Sequence, residues 1–360
     1  FNVMKRLVSV LVAVFFMTGM AVAQNNQSTV NQNGDDIDAT VTQTGENNYS
    51  ELNQTDDFID GHSATIEQIG DDNYSAINTQ NGGGRADVYM NGDENQLLNY
   101  NLDNESAANQ KNSLNVFELD INGSKNKVGM SQEFGDGDVD ITGNKNEVQL
   151  MQKSGANYQV PDFHTSEVTI EGDANDVEVQ QGPYFGSGYK GNDATVKIYN
   201  QSNLNDVKIT QLGDRNSASY KIGNGDENDV VLTQKGEGYH ISNVQILSGS
   251  DDNNVDIMQD GRNHRGLWVI SRGAEDNYLD VTQEDGINNR ATGRIWGNDN
   301  DVDVLQQGSK NWVGAGNWND KQGVRIDGNM NTVDIHQMGN GNMSTNSVTG
   351  NGNTIDVIQQ

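Results

Sequence analysis

Cysteine is absent from the 360 residues, proline occurs twice, and acidic residues outnumber basic ones 52 to 22. No disulfide can staple such a fold, and no thiolate can act as a nucleophile. The formal net charge of −30 argues against nucleic acid as a partner, because phosphates need Lys and Arg. Hydrophobicity is scarce as well: 33% of residues are hydrophobic and the mean hydropathy is −0.75. Low hydrophobicity joined to high net charge is the composition of a disordered chain, and an ordinary globular core is hard to build from it. Order must come from periodicity or not at all.

Catalytic signatures are missing too. There is no Gly-x-Ser-x-Gly elbow and no phosphate loop. The five histidines, His62, His164, His240, His264 and His336, stand isolated, without ligand spacing. Asp136, Asp138 and Asp140 open like a calcium loop, but Gly82-Gly83-Gly84 leads only to Arg85-Ala86-Asp87 and no calcium nonapeptide follows. A solvated strand face accounts for the pattern. A sugar-cleaving solenoid would need a carboxylate cluster on one face, which stacked aspartates could supply only by chance. We therefore expect no enzyme, no cofactor and no metal site.

One long apolar run is present, at the start. Lys5 and Arg6, the run Leu7 to Met17 and the small residues Ala21-Val22-Ala23 predict a signal peptide over residues 1–23, cleaved before Gln24. Met4 is its expected start. No later stretch approaches the roughly 20 apolar residues of a membrane span, so the membrane is engaged only through export. Removing Lys5 and Arg6 takes the charge from −30 to −32, which favours solubility in transit.

Beyond that, one pattern keeps returning. Asn-x-apolar-x-apolar-x-Gln occurs ten times, as Asn126/Gln132, Asn146/Gln152, Asn175/Gln181, Asn205/Gln211, Asn228/Gln234, Asn253/Gln259, Asn277/Gln283, Asn300/Gln306, Asn331/Gln337 and Asn353/Gln359. Gly, Ser or Ala stands three residues before each Asn, as at Gly143, Ser202 and Gly297. Between copies lies a looser alternating segment, marked by Leu119/Ile121, Val139/Ile141, Val168/Ile170, Val196/Ile198, Val244/Ile246 and Val324/Ile326. One unit thus reads strand, turn, strand, turn, about 22–24 residues long. Longer intervals carry insertions at 153–166, 182–193 and 309–323, and both prolines, Pro161 and Pro183, fall in the first two. Proline cannot donate to a strand ladder, so its expulsion agrees with the strand assignment. In the N-terminal third both strands of a unit carry Gln, as at Gln43, Gln54 and Gln68. Around 83–112 the motif degenerates, the run Asn95, Leu97, Asn99 and Asn101 putting an amide where Gln is expected.

A unit this short cannot bury its own apolar face, but stacked units can. The pattern predicts an all-β fold: a parallel β-solenoid of two-strand coils, about 14 coils and about 65–70 Å tall at the ~4.8 Å spacing of stacked strands. Stacking also explains why amides share a face with Val and Ile. A Gln column gives each side-chain amide a donor and an acceptor in the coils above and below. Acidic columns at the same spacing repel, so screening cations should help assembly.

Gln43-Thr44-Gly45-Glu46-Asn47-Asn48, Gln211-Leu212-Gly213-Asp214-Arg215-Asn216-Ser217-Ala218 and Gln337-Met338-Gly339-Asn340-Gly341-Asn342 share one order. It resembles the curlin repeat of bacterial curli fibre subunits over most of residues 27–360, and the Asn/Gln-rich segment 24–31 resembles the part that directs such subunits to their secretion pore. Many units lack the second Gln, and Gln181 meets Gly182 one residue early. The resemblance implies a secreted subunit, residues 32–360 forming the solenoid, that self-assembles into an extracellular amyloid of the biofilm matrix. It also implies an outer-membrane pore and a nucleating subunit as partners. The sequence closes on Ile358-Gln359-Gln360, on a motif Gln with no capping segment, which suits continued stacking; truncation of a longer protein is the other reading. Trp268, Trp296, Trp312 and Trp318 fall within 51 residues and are expected to fill a wider coil or cover a loop. The alternative function is a monomeric secreted adhesin or ligand-binding surface protein.

Overall fold

The computed structural model describes residues 25–33, 38–55, 63–79, 85–99, 108–110, 115–132, 135–152, 165–182, 192–199, 202–247, 249–314 and 323–360. The expected signal peptide, most of each expected insertion, His62, His164 and Trp318 lie outside these residues. The described chain is all-β, a parallel β-solenoid of two facing sheets. Strands alternate between a 15-stranded and a 16-stranded sheet, so each coil gives one strand to each. The main path of the first sheet runs from Gln27–Asn33 to Thr354–Gln359, its neighbours in parallel register.

Register follows the motif. Asn-x-apolar-x-apolar-x-Gln units align position for position, as Val302↔Val333, Val304↔Ile335 and Gln306↔Gln337 show. Alternation sends the apolar pairs inward: Val302, Val304, Val333 and Ile335 are fully buried. The second sheet supplies the opposite wall with Val139/Ile141, Val168/Ile170, Val244/Ile246 and Val324/Ile326, also buried. A one-residue slip would turn every one of these side chains to solvent, so the pattern fixes the register.

Turns between the sheets are built alike. In the Gly-x-x-Asn arc, Gly297 has φ +114° and Asp299 φ +56° before Asn300. Stacked arcs approach so closely that a Cβ on Gly297 would collide with the Gly328 carbonyl. This close approach, repeated along the column, is why small residues precede each motif Asn.

The degenerate region resolves differently from the sequence expectation. Gln96–Asn99 pairs with Lys127–Met130, and Ala108–Gln110 then completes the rung, placing Gln110 opposite Gln132. The amide position belongs to Gln110, not Asn101, because Gln96–Asn99 and Ala108–Gln110 pair in turn along the one strand Lys127–Gln132. A similar mid-strand interruption separates Trp312–Val313 from Val324–Asp327, both of which pair with Arg290–Trp296.

Trp268 fills the core, fully buried. Its column reads Val244, Trp268, Gly293, Val324, and the indole occupies the space a Cβ on Gly293 would take. Gly293→Ala is therefore expected to destabilise the fold by about 1–3 kcal/mol through overpacking. A urea titration followed by tryptophan fluorescence measures it, and an unchanged midpoint would show that the indole can move aside.

Candidate self-assembly site

Two amide columns run along the first sheet, one at each end of the motif. In the Asn column, Asn300 Nδ2 donates to Asn277 Oδ1 at 2.9 Å, and the Asn300 backbone N–H donates to the same oxygen at 3.0 Å. Asn277 repeats both bonds to Asn253, and Asn331 to Asn300. The second amide hydrogen reaches a turn carbonyl, as from Asn146 to Gly172 at 2.8 Å and from Asn253 to Ala274 at 2.9 Å. The column continues upstream of the ten motif copies through Asn48, Asn73 and Asn95. Each Asn side chain thus stitches its turn to the coils on both sides.

In the Gln column, Gln283 Nε2 donates to Gln306 Oε1 at 2.7 Å, Gln306 to Gln337 at 2.8 Å, and Gln337 to Gln359 at 2.7 Å. The chain of bonds extends back through Gln259, Gln234 and Gln211 to Gln181. Nε2 also crosses to the opposite sheet, from Gln306 to the Arg290 carbonyl at 3.0 Å and from Gln211 to that of Asp193 at 2.9 Å. Small residues of the opposite sheet face the column, as Ser242 does, its Oγ donating to Gln259 Oε1 at 2.9 Å. Ser166 Oγ donates to Gln181 Oε1 at 2.7 Å. Gln132 and Gln152 hold the same register in their strands, but their side chains lie outside the described set.

The two columns have opposite polarity. Asn amides donate toward the N-terminal end of the stack, whereas Gln amides donate toward the C-terminal end. A coil stacked on the strand Thr354–Gln359 would meet the acceptor Asn353 Oδ1 at one corner and the donor Gln359 Nε2 at the other.

A third, shorter column was missed by the motif. Asn192, Asn216, His240, His264, Asn289, Asn311 and Asn342 occupy the opposite turn, and all but Asn342 are buried with relative exposure near zero. Here His Nδ1 replaces Asn Oδ1 as acceptor: the His264 N–H donates to His240 Nδ1, and the Asn289 N–H to His264 Nδ1, both at 3.2 Å. The rings stack 5.2 Å apart. Isolation of the histidines was thus the wrong reading for this pair; a separation of 24 residues, one coil, was the available signal. Burial, then the neighbouring His240, pushes His264 down to about 4, and burial lowers His240.

On the outer surface, His336 Nε2 lies 3.1 Å from Asp334 Oδ1, again contrary to isolation. Asp303, Asp334 and His336 bring ligand atoms within 4.8 Å of one another, the group among the described residues that could hold a metal ion. Asp138 and Asp140 point outward along one strand, beside Glu167 and Thr169 of the next. Burial and neighbouring carboxylates raise Asp176 to about 6, with Asp206 the foremost of those neighbours.

Among known families, the curlin-associated repeat matches residues 203–236. This span contains the motif unit Asn205–Gln211 and the following Gln-x-Gly-x-x-Asn turn. No curated protein and no solved structure gives a significant match to the chain.

Proposed function

We propose that this curlin-repeat solenoid is a secreted structural subunit that polymerises by stacking its coils end to end into an extracellular fibre of the biofilm matrix. The chain carries the curlin-associated repeat and folds as a β-solenoid, which fits a curli-like structural protein. The observation that carries the reading is the pair of amide columns with opposite polarity. From Gln181 to Gln359 each coil offers the next the same Asn acceptor and Gln donor, so the interface between chains would repeat the interface within one. An inverted copy that kept Asn over Asn would set acceptor against acceptor and donor against donor, so growth would be head to tail. The strand Gln27–Asn33 follows the same register: the Asn48 backbone N–H donates to Asn26 Oδ1 at 2.9 Å, and Gln32 aligns with Gln54. A secretion pore and a nucleating subunit would be its partners by the same resemblance.

Electron microscopy of purified residues 24–360, incubated in physiological salt, tests this reading. Unbranched fibres with an axial subunit repeat near 65–70 Å, about 14 rungs of ~4.8 Å, are the expected result. Monodisperse short rods that never elongate, even when seeded, would overturn it and favour a monomeric adhesin.

A further inference from the structure

The two outer faces of the C-terminal coils carry opposite charge. On the first sheet, Asp256, Asp280, Asp303, Asp334 and Asp356 form one outward column, each in register with the next. None of the five strands that carry it contains Lys or Arg. Asp256, Asp280 and Asp303 are all raised, first by burial; neighbouring carboxylates add to this at Asp256 and Asp303. This face is short of cations.

The second sheet shows the reverse over the same coils. Arg265 and Arg290 are in register on adjacent strands, as are Arg294 and Arg325. Arg272, Arg294 and Arg325 converge on one indole, with guanidinium carbons 3.6, 4.9 and 5.3 Å from the Trp296 ring centre. Trp296 is itself anchored, its Nε1 donating to Ser271 Oγ at 2.9 Å. The strands Arg265–Ser271, Arg290–Trp296 and Val324–Asp327 hold a single carboxylate, Asp327, 3.7 Å from Arg325. In a chain of net charge −30, concentrating cations on one ring costs Coulomb energy that a bound anion would offset.

We propose that the Arg/Trp296 face of one copy docks on the aspartate column of a second copy, joining solenoids side by side. The partner is this chain because both charge arrays lie on the same fold. Both also repeat at the same rung spacing, ~4.8 Å, so guanidinium and carboxylate can match rung for rung. Docking relieves repulsion on both faces at once. It uses neither edge strand, so it goes beyond end-to-end growth and takes place between free solenoids as well as between fibres.

Charge reversal tests it. One variant carries Arg272→Glu with Arg325→Glu, the other Asp303→Lys with Asp334→Lys; all four side chains point outward, and circular dichroism verifies the fold. Sedimentation velocity and electron microscopy compare each protein at about 10 mM and about 500 mM salt, where screening lengths are roughly 30 and 4 Å. The natural chain is expected to pair laterally at low salt and separate at high salt. Each variant alone is expected to stay unpaired, and an equal mixture to pair again, since each then offers the charge the other lacks. Salt-independent width, pairing by either variant alone, or a mixture that fails to pair would overturn the proposal. So would a chain that binds an added polyuronate through Arg272 and Arg325 yet never pairs with itself. End-to-end elongation is scored separately, by length and not by width, so failure of one does not count as failure of the other.

Discussion

Asn277→Ala is expected to lower stability by about 3–5 kcal/mol, far more than its loss of volume suggests. Asn277 Oδ1 accepts two hydrogen bonds, from the Asn300 backbone N–H at 3.0 Å and from Asn300 Nδ2 at 2.9 Å. Its own Nδ2 donates to Asn253 Oδ1 at 2.8 Å and to the Glu275 carbonyl at 3.0 Å. Asn253, Asn277 and Asn300 are about 1% exposed, so water cannot take the place of the lost partner. Alanine leaves two donors of Asn300 without an acceptor, and each buried unsatisfied group costs about 1–3 kcal/mol. Asp280→Ala, three residues on and outward-facing, is the control. It removes a carboxylate that is raised by burial in the acidic column, so little stability should be lost. Because solenoids unfold in coupled local units, hydrogen exchange at the Asn300 amide is the sharper measurement beside urea unfolding. Protection at Asn300 should fall in Asn277→Ala and persist in Asp280→Ala. Equal protection in both would show that the amide column is decoration on a fold held by its apolar columns.

The amide columns were legible in the sequence because they are translational. A coil that stacks on itself repeats its spelling, so Asn277, Asn300 and Asn331 announce one position by recurring with Val and Ile at fixed offsets. The parallel solenoid followed from the same recurrence. What the sequence hid were positions where the spelling changes while the geometry does not. His240 and His264 stand in an Asn column, because an imidazole Nδ1 can accept the same backbone N–H that an amide oxygen accepts. Gln110 is separated from the strand it completes by residues 100–107, so offset counting put the amide at Asn101 instead. The Arg cluster on Trp296 draws Arg272, Arg294 and Arg325 from three successive coils, and no window of one repeat contains it. Nor can a one-letter pattern encode the direction in which an amide donates, so the opposed polarity of the two columns appears only in three dimensions.

The double replacement His240→Asn with His264→Asn is expected to cost little at pH 7 and to become protective in acid. Asn already occupies this column on either side, at Asn216 and Asn289, so the substitutions restore the prevailing residue. At neutral pH both rings are neutral in the fold, since each Nδ1 accepts a backbone N–H and a proton there would break that bond. Burial and then the neighbouring ring hold His264 near 4, opposed only by the Asp260 carbonyl. His240 is lowered by burial, against the carbonyls of Gly261 and Lys235 and the charge of Asp260. An unfolded imidazole takes up its proton near pH 6.5. The unfolded chain therefore binds more protons than the fold as pH drops below about 6.5, and stability drains away until about pH 4. For His264 alone the loss is about 3 kcal/mol, at about 1.4 kcal/mol for each pH unit between the two values. The carboxylates act the other way: Asp176, Asp206, Asp256, Asp280 and Asp303 are all raised, first by burial, so their protonation in acid supports the fold. The total pH profile mixes both effects, and only the difference between the two proteins isolates the histidines. Urea midpoints from pH 7 down to pH 4 should show the Asn variant gaining on the natural chain by about 3 kcal/mol. A difference that stays constant with pH would mean that the imidazoles are protonated in the fold without cost, and that Nδ1 is not the acceptor this column requires.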